Sequence, residues 1–115
     1  MERCEELQRI IDGFQKHRIA FTAIGDETRQ VILLVLLQSN LSGIRVGEIA
    51  EKTHLTRPSV SHHLKILKEA GIVAMRSEGT KNYYYLSANE TKWKDISELV
   101  TTVYNAIQHM DKELI

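Results

Sequence analysis

A chain of 115 residues with 43% hydrophobic content is sized for one domain, able to bury roughly two-thirds of its surface. Fifteen Lys/Arg against fifteen Asp/Glu leave no formal net charge, so bulk charge alone points to neither nucleic acid nor a membrane surface. A single cysteine, Cys4, excludes an internal disulfide and a multi-Cys zinc cluster. The longest apolar run, Val31 to Leu37, is too short to span a bilayer, and the charged N-terminal stretch does not read as a secretory signal. Cytoplasmic residence is the expectation. No paired carboxylates, nucleophile with base, or glycine-rich phosphate loop occurs, so neither an enzyme nor a bound cofactor is expected.

The charges are unevenly placed. Residues 45–85 hold seven Lys/Arg against four acids, and the rest of the chain carries the compensating deficit. A basic middle between acidic ends fits one DNA-facing surface and a solvated back.

In chain order, residues 3–24 read as a first helix. Leu7, Ile10, Phe14, His17, Phe21 and Ile24 recur at alternating spacings of three and four, a heptad seam with one histidine in it. Gly13 weakens that helix and permits close packing. Gly25-Asp26 breaks it, and Asp26 caps a second helix from Glu27 to Gln38. Its apolar run places that helix at the centre of the fold. Ser39 to Gly43 reads as a loop, and Ile44-Arg45 as a short strand beside the later sheet. Val46 to Thr53 forms a short helix burying Val46, Ile49 and Ala50, and His54-Leu55-Thr56 links it to the next.

That next helix is the most informative stretch. Thr56 is a good N-cap, Pro58 falls in the first turn where a missing N–H costs nothing, and Gly71 ends the helix. At 100° per residue, Val60, Leu64, Ile66, Leu67 and Ala70 form an apolar arc. Arg57, Pro58, Ser61, His62 and Lys65 form a polar one rich in cations, suited to phosphates and base edges. Helix, three-residue turn, capped helix is the helix-turn-helix arrangement, assigned to residues 46–70. Ile72 to Arg76 and Asn82 to Leu86 are strand-like, joined by a turn over Ser77 to Lys81, which makes a β-wing over residues 72–87. Residues 90–113 form a last helix, with Trp93, Ile96, Val100, Val103, Ile107, Met110 and Leu114 on a second heptad seam. Two such helices at opposite ends of a small domain exceed what its own core can cover, so they predict a homodimer. The predicted fold is mainly α with a small β-hairpin: a single winged helix-turn-helix domain over 1–115, with N-terminal (1–24) and C-terminal (90–113) dimerisation helices.

Three stretches resemble the ArsR/SmtB bacterial repressors. Phe21 to Arg29 is similar to that family's "L-x-x-L-A-D-x-T-R". Val60-Ser61-His62-His63-Leu64 through Ala70-Gly71-Ile72-Val73 is similar to "V-S-x-H-L-x-x-L-x-x-A-G-L-V", and Glu78-Gly79 with Tyr83, Tyr84 and Leu86 to the wing "E-G-x-x-x-Y-Y-x-L". The resemblance implies a homodimeric repressor that binds a near-palindromic double-stranded DNA operator through a winged helix-turn-helix. Many members release DNA on binding metal. Where a thiol site reads "E-L-C-V-C-E-L-A", this chain has Arg45 and Gly47 in place of the two cysteines. Where a zinc-type site on the last helix has Asp-x-His and then His-x-x-His or His-x-x-Glu, Asp95 is followed by Ser97, and His109 by Lys112. A closed tetrahedral site lacks half its ligands there, so no metal site is expected, and the inducer is left unnamed.

The expected DNA-binding residues are Arg57, Ser59, Ser61, His62 and Lys65 on the recognition helix, with Arg76, Lys81 and Asn82 on the wing. His63 lies inside the apolar arc and should pack with one hydrogen bond to the backbone. His17, His109 and Cys4 read as packed, half-exposed or incidental groups rather than sensors. The competing reading is a winged-helix module that docks protein through the same polar face without binding DNA.

Overall fold

The computed structural model describes residues 2–39 and 42–114. Helices α1 (Glu2–Lys16), α2 (Arg18–Ile24), α3 (Glu27–Gln38), α4 (Val46–Thr53) and α5 (Arg57–Glu69) precede strands β1 (Ala74–Glu78) and β2 (Lys81–Tyr85), and α6 (Trp93–Leu114) closes the chain. They sort into two compact units. One joins α1 to α6, and the other, residues 19–92, holds everything between.

In the larger unit, α3, α4 and α5 pack on one another, and α4 also meets β2. The core is apolar and closely filled: Ile32, Ile49, Val60, Leu64, Leu67 and Ile72 are fully buried. Each helix is delimited as its sequence demands. Asp26 sits extended before α3 and its carboxylate accepts from the Arg29 N–H, while Thr56 does the same for α5 through the Ser59 N–H. Gly71 follows α5 at a positive φ of 78°, and the Ile72 N–H returns to the Leu67 carbonyl, which turns the chain into the wing. Between α4 and α5, His54 takes the left-handed region at φ 60°, a conformation non-glycine residues seldom adopt.

The strands pair antiparallel with Glu78 opposite Lys81. The turn is therefore the two residues Gly79-Thr80, not the predicted five from Ser77 to Lys81, and the strands begin and end two residues and one residue away from their expected limits. Gly79 has φ 63° at the first turn position, where a two-residue hairpin of type II′ takes glycine. Ile44 adds a single bridge to Tyr84, in keeping with the short strand expected there.

The expected helices need correction as well. The first helix is not continuous over 3–24 but is interrupted at His17, which separates α1 from α2. The His17 N–H still bonds the Gly13 carbonyl, and the break is one residue wide. The last helix starts at Trp93, not residue 90. Ser87 Oγ accepts from the Asn89 and Glu90 N–H groups, and Thr91 Oγ1 donates to the Ser87 carbonyl, which holds this stretch in a local turn. The Lys92 N–H then donates to the Gly71 carbonyl. Finally, α3 is not buried all round. Ile32, Leu33, Val35 and Leu36 are covered, while Val31, Leu34 and Leu37 are exposed, Leu37 at 67%. Part of the expected Ser39–Gly43 loop, Asn40 and Leu41, lies outside the described residues.

In the smaller unit, Gly13 admits Leu99: a Cβ there would lie 2.7 Å from Leu99 Cδ1. Ile96, Leu99 and Ala106 of α6 are buried, and Val103 is half-buried. This inner stripe differs from the predicted seam, which omitted Leu99 and Ala106. An outer stripe is left uncovered, with Leu7, Ile11 and Phe14 on α1 and Val100, Tyr104, Ile107 and Met110 on α6. The side chain of Leu114, placed on the seam from sequence, lies outside the described residues.

The core of the larger unit should be sensitive to single truncations. Leu64→Ala should lower unfolding free energy by about 2–5 kcal/mol, and Thr56→Ala by about 1 kcal/mol through the lost cap. Urea denaturation followed by circular dichroism measures both. A Leu64→Ala protein as stable as the parent would contradict the packing described.

Candidate nucleic-acid interface

The buried face of α5 dictates what its other face presents. With Val60, Leu64 and Leu67 turned into the core, Arg57, Ser61, His62 and Lys65 are all exposed. These side chains form a polar ridge that begins at a capped helix start, where the helix dipole favours anions. Ser59 is half-buried, and its N–H is engaged by the Thr56 hydroxyl.

Of the wing residues, Lys81 and Asn82 are exposed, with the Asn82 Oδ1 accepting from the Ser77 hydroxyl at 2.7 Å. Arg76 is placed differently. Its guanidinium donates to the Ser42 carbonyl, pairs with Glu78 Oε1 at 3.2 Å and stacks 4.8 Å from the centre of the Tyr83 ring. That cation is anchored within its own chain and stiffens the hairpin. Tyr83 and Tyr85 share the Arg76 face of the hairpin, while Tyr84 points to the other. The Tyr85 hydroxyl donates to Glu90 Oε1 at 3.1 Å, a bond that with partial burial raises its pKa above the usual phenol value.

The recognition helix is held from below by Arg29, whose side chain is only 12% exposed. Its Nε donates to the Ala23 carbonyl at 2.7 Å, its Nη2 to the Thr22 carbonyl at 3.3 Å, and its Nη1 to His63 Nδ1 at 3.3 Å. One side chain thus ties the end of α2 to the start of α3 and to the middle of α5. His63 is half-buried as its place in the apolar arc predicts, but its partner is this guanidinium, not the backbone. With Nδ1 accepting, the ring proton sits on Nε2. Arg29 stood in the sequence inside the stretch matching "D-x-T-R", yet nothing in that stretch shows which distant helix it reaches.

The other singled-out residues lie elsewhere. His17 is 6% exposed, and its Nδ1 has no hydrogen-bond partner among the described residues, whereas His109 and Cys4 are exposed. Among the described residues no three His, Cys, Asp or Glu side chains converge as a metal site, and no helix is long and apolar enough to cross a membrane.

Removing the Arg29 tie should loosen α5. Arg29→Met leaves two carbonyls and one imidazole nitrogen without their donor, and is expected to cost at least about 2 kcal/mol by chemical denaturation. The Asp26 cap adds a pH signature. The Arg29 backbone N–H holds the Asp26 carboxyl below its ordinary value of 3.8. Its contribution is therefore present in full above that value and is lost as pH falls through the lowered folded-state value. Thermal melts of Asp26→Asn and the parent should differ near neutrality and converge in acid.

A sequence model of the arsR family of bacterial regulatory proteins matches residues 26–74, which run from the α3 cap to the first residue of the wing. An uncharacterized HTH-type transcriptional regulator of Methanocaldococcus jannaschii is 39% identical over 78% of this chain and 97% of its own length. The transcriptional repressor SdpR of Bacillus subtilis is 35% identical over 82% of this chain and 96% of its own. Among solved structures, a homodimeric winged helix-turn-helix DNA-binding domain from Mycobacterium bovis superposes with a TM-score of 0.53 at 24% identity, covering 97% of this chain and 92% of that one, a likeness of fold.

Proposed function

The chain belongs to the arsR family of bacterial regulatory proteins, and from that premise we propose that it is a transcriptional repressor that binds a near-palindromic operator as a homodimer. The observation that carries this reading is the exposed ridge of Arg57, Ser61, His62 and Lys65, backed by a fully buried Val60, Leu64 and Leu67. A helix so fixed can enter a major groove and keep its register there. His62 and Ser61 supply base-edge contacts, while Lys65, Lys81 and Asn82 reach phosphates or the adjacent minor groove.

Dimerisation is supported by the outer apolar stripes of α1 and α6, which a single chain leaves in water. A two-fold pair would present two recognition helices about 34 Å apart, one turn of duplex. The Mycobacterium bovis domain of the same fold is itself homodimeric. Repression accords with the name of the Bacillus subtilis relative.

Control by metal at the two family positions is not part of this reading. Arg45 carries a positive charge where a thiolate would bind, and Gly47 offers no donor atom. On α6, Ser97 and Lys112 cannot complete a site with Asp95 and His109. Zinc or a thiophilic metal at micromolar concentration should leave operator affinity unchanged.

Fluorescence anisotropy with DNA from upstream of the chain's own gene tests the central claim. Binding should weaken steeply with salt as counterions leave the phosphates. Ser61→Ala and His62→Ala should each reduce operator affinity about tenfold, with the loss concentrated on particular base pairs. A protein that elutes as a monomer, or one that binds no duplex even at low salt, argues for the protein-docking module instead, and DNA binding that survives both substitutions removes Ser61 and His62 from the interface.

A further inference from the structure

A cleft of about 580 Å³ opens between the first turn of α4 and the wing. Arg57 comes into it from the start of α5 and lies flat against Gly47. A Cβ built on Gly47 would fall 2.9 Å from Arg57 Nη2 and 3.1 Å from its Cζ. Arg45 lines the same cleft, and its side chain caps nothing. Both arginines are exposed, and among the described residues neither guanidinium has a hydrogen-bond or ion-pair partner. This sets them apart from Arg29 and Arg76, which are fully engaged. The first bonds closing α4 run from Glu48 and Ile49 to the Arg45 carbonyl, so the N–H groups of Val46 and Gly47 also face this end of the helix unpaired among the described residues. Asn82 and Thr80 of the wing form the opposite wall.

We propose that this cleft clamps one DNA backbone phosphate, with Arg57 and Arg45 as its cationic jaws and Gly47 as the residue whose missing side chain seats the Arg57 guanidinium. The inference rests on the DNA-binding reading and refines it. It assigns Arg57 to the backbone rather than to a base edge and adds Arg45 and Gly47 to the interface. Guanidinium suits the role, since its planar fork matches two phosphate oxygens. A phosphodiester, not a free anion, is the occupant because the wall also carries Glu48 and Glu51. Glu48 is partly offset by Lys52 at 3.6 Å, but Glu51 is not, and these carboxylates oppose capture of a small mobile anion. A backbone phosphate is delivered by the duplex itself once α5 lies in the groove with the wing beside it, so the clamp does not have to attract it from solution.

Binding isotherms at several salt concentrations test this, using the operator, operators with single base-pair changes, and an unrelated duplex of equal length. Arg57→Ala and Arg45→Ala should each weaken binding to all duplexes by a similar factor, about five- to tenfold, without altering the order of preference. Each should also reduce the salt slope by about one. Gly47→Ala displaces only the flexible end of Arg57, so the fold should persist by thermal melt while affinity falls several-fold. Added to Arg57→Ala, it should cost nothing more. Inorganic phosphate at matched ionic strength should compete no better than chloride. Arg57→Ala that relaxes preference at one base pair and keeps the full salt slope overturns the clamp, as does a Gly47→Ala or Arg45→Ala protein with parental affinity. Selective competition by inorganic phosphate overturns the backbone as its occupant. A parent protein that binds no duplex overturns the DNA-binding reading and this one with it, whereas a parent that binds beside variants with unchanged slopes overturns this one alone.

Discussion

The functional surface depends on how firmly α5 is prevented from rotating about its own axis. A turn of the helix by one residue would bury part of the polar ridge and expose Leu64 or Val60. Two interactions of different character oppose it. Burial of Val60, Leu64 and Leu67 is strong but tolerant of small shifts, because apolar contact has no direction. The Arg29 to His63 contact is directional, and Arg29 is itself fixed by the Ala23 and Thr22 carbonyls. Packing sets which face is inside, and the guanidinium tie sets the angle at which the other face looks out.

The wing is stabilised by a comparable division of labour. Cross-strand pairing places Arg76 opposite Tyr83, where the cation lies over the ring while its carboxylate partner, Glu78, sits at the strand end. A two-stranded hairpin is marginal by itself in water. Anchoring to the Ser42 carbonyl and the Ile44 bridge attaches it to the chain entering α4. The cost is that Arg76 is no longer a mobile cation, while Lys81 stays exposed on the wing beside Ser77, Glu78, Thr80 and Asn82.

Local signals in the sequence were legible because they are local. The Asp26 and Thr56 caps, the Gly71 stop and the two-faced pattern of α5 each involve residues within a few positions, and each stands where the pattern puts it. Heptad spacing was less informative. On α6 it merged two neighbouring stripes, one closing on α1 and one left open, since residues one position apart such as Leu99 and Val100 differ only in which side of a seam they take. On the first helix it ran across the break at His17, because apolar spacing does not register whether a backbone hydrogen-bond ladder is continuous. Of the interface, exposure of Arg57, Ser61, His62 and Lys65 followed from helical phase alone. The capture of Arg76 and the reach of Arg29 to His63 are both contacts across 34 positions, and no periodicity encodes them.

Arg45 and Gly47 illustrate how two substitutions can change what one helix start is able to hold. A helix N-terminus favours negative charge whatever side chains surround it. Thiolates there would satisfy that preference themselves and recruit a soft metal. A glycine and an arginine do the reverse: they leave the N–H groups open and add cationic charge, and the space freed at Gly47 is taken by Arg57 from the next helix. Under the proposed clamp, that arrangement suits an anion supplied from outside. If the proposed clamp operates, the α4 start extends the α5 ridge and the two helices of the motif present one polar surface.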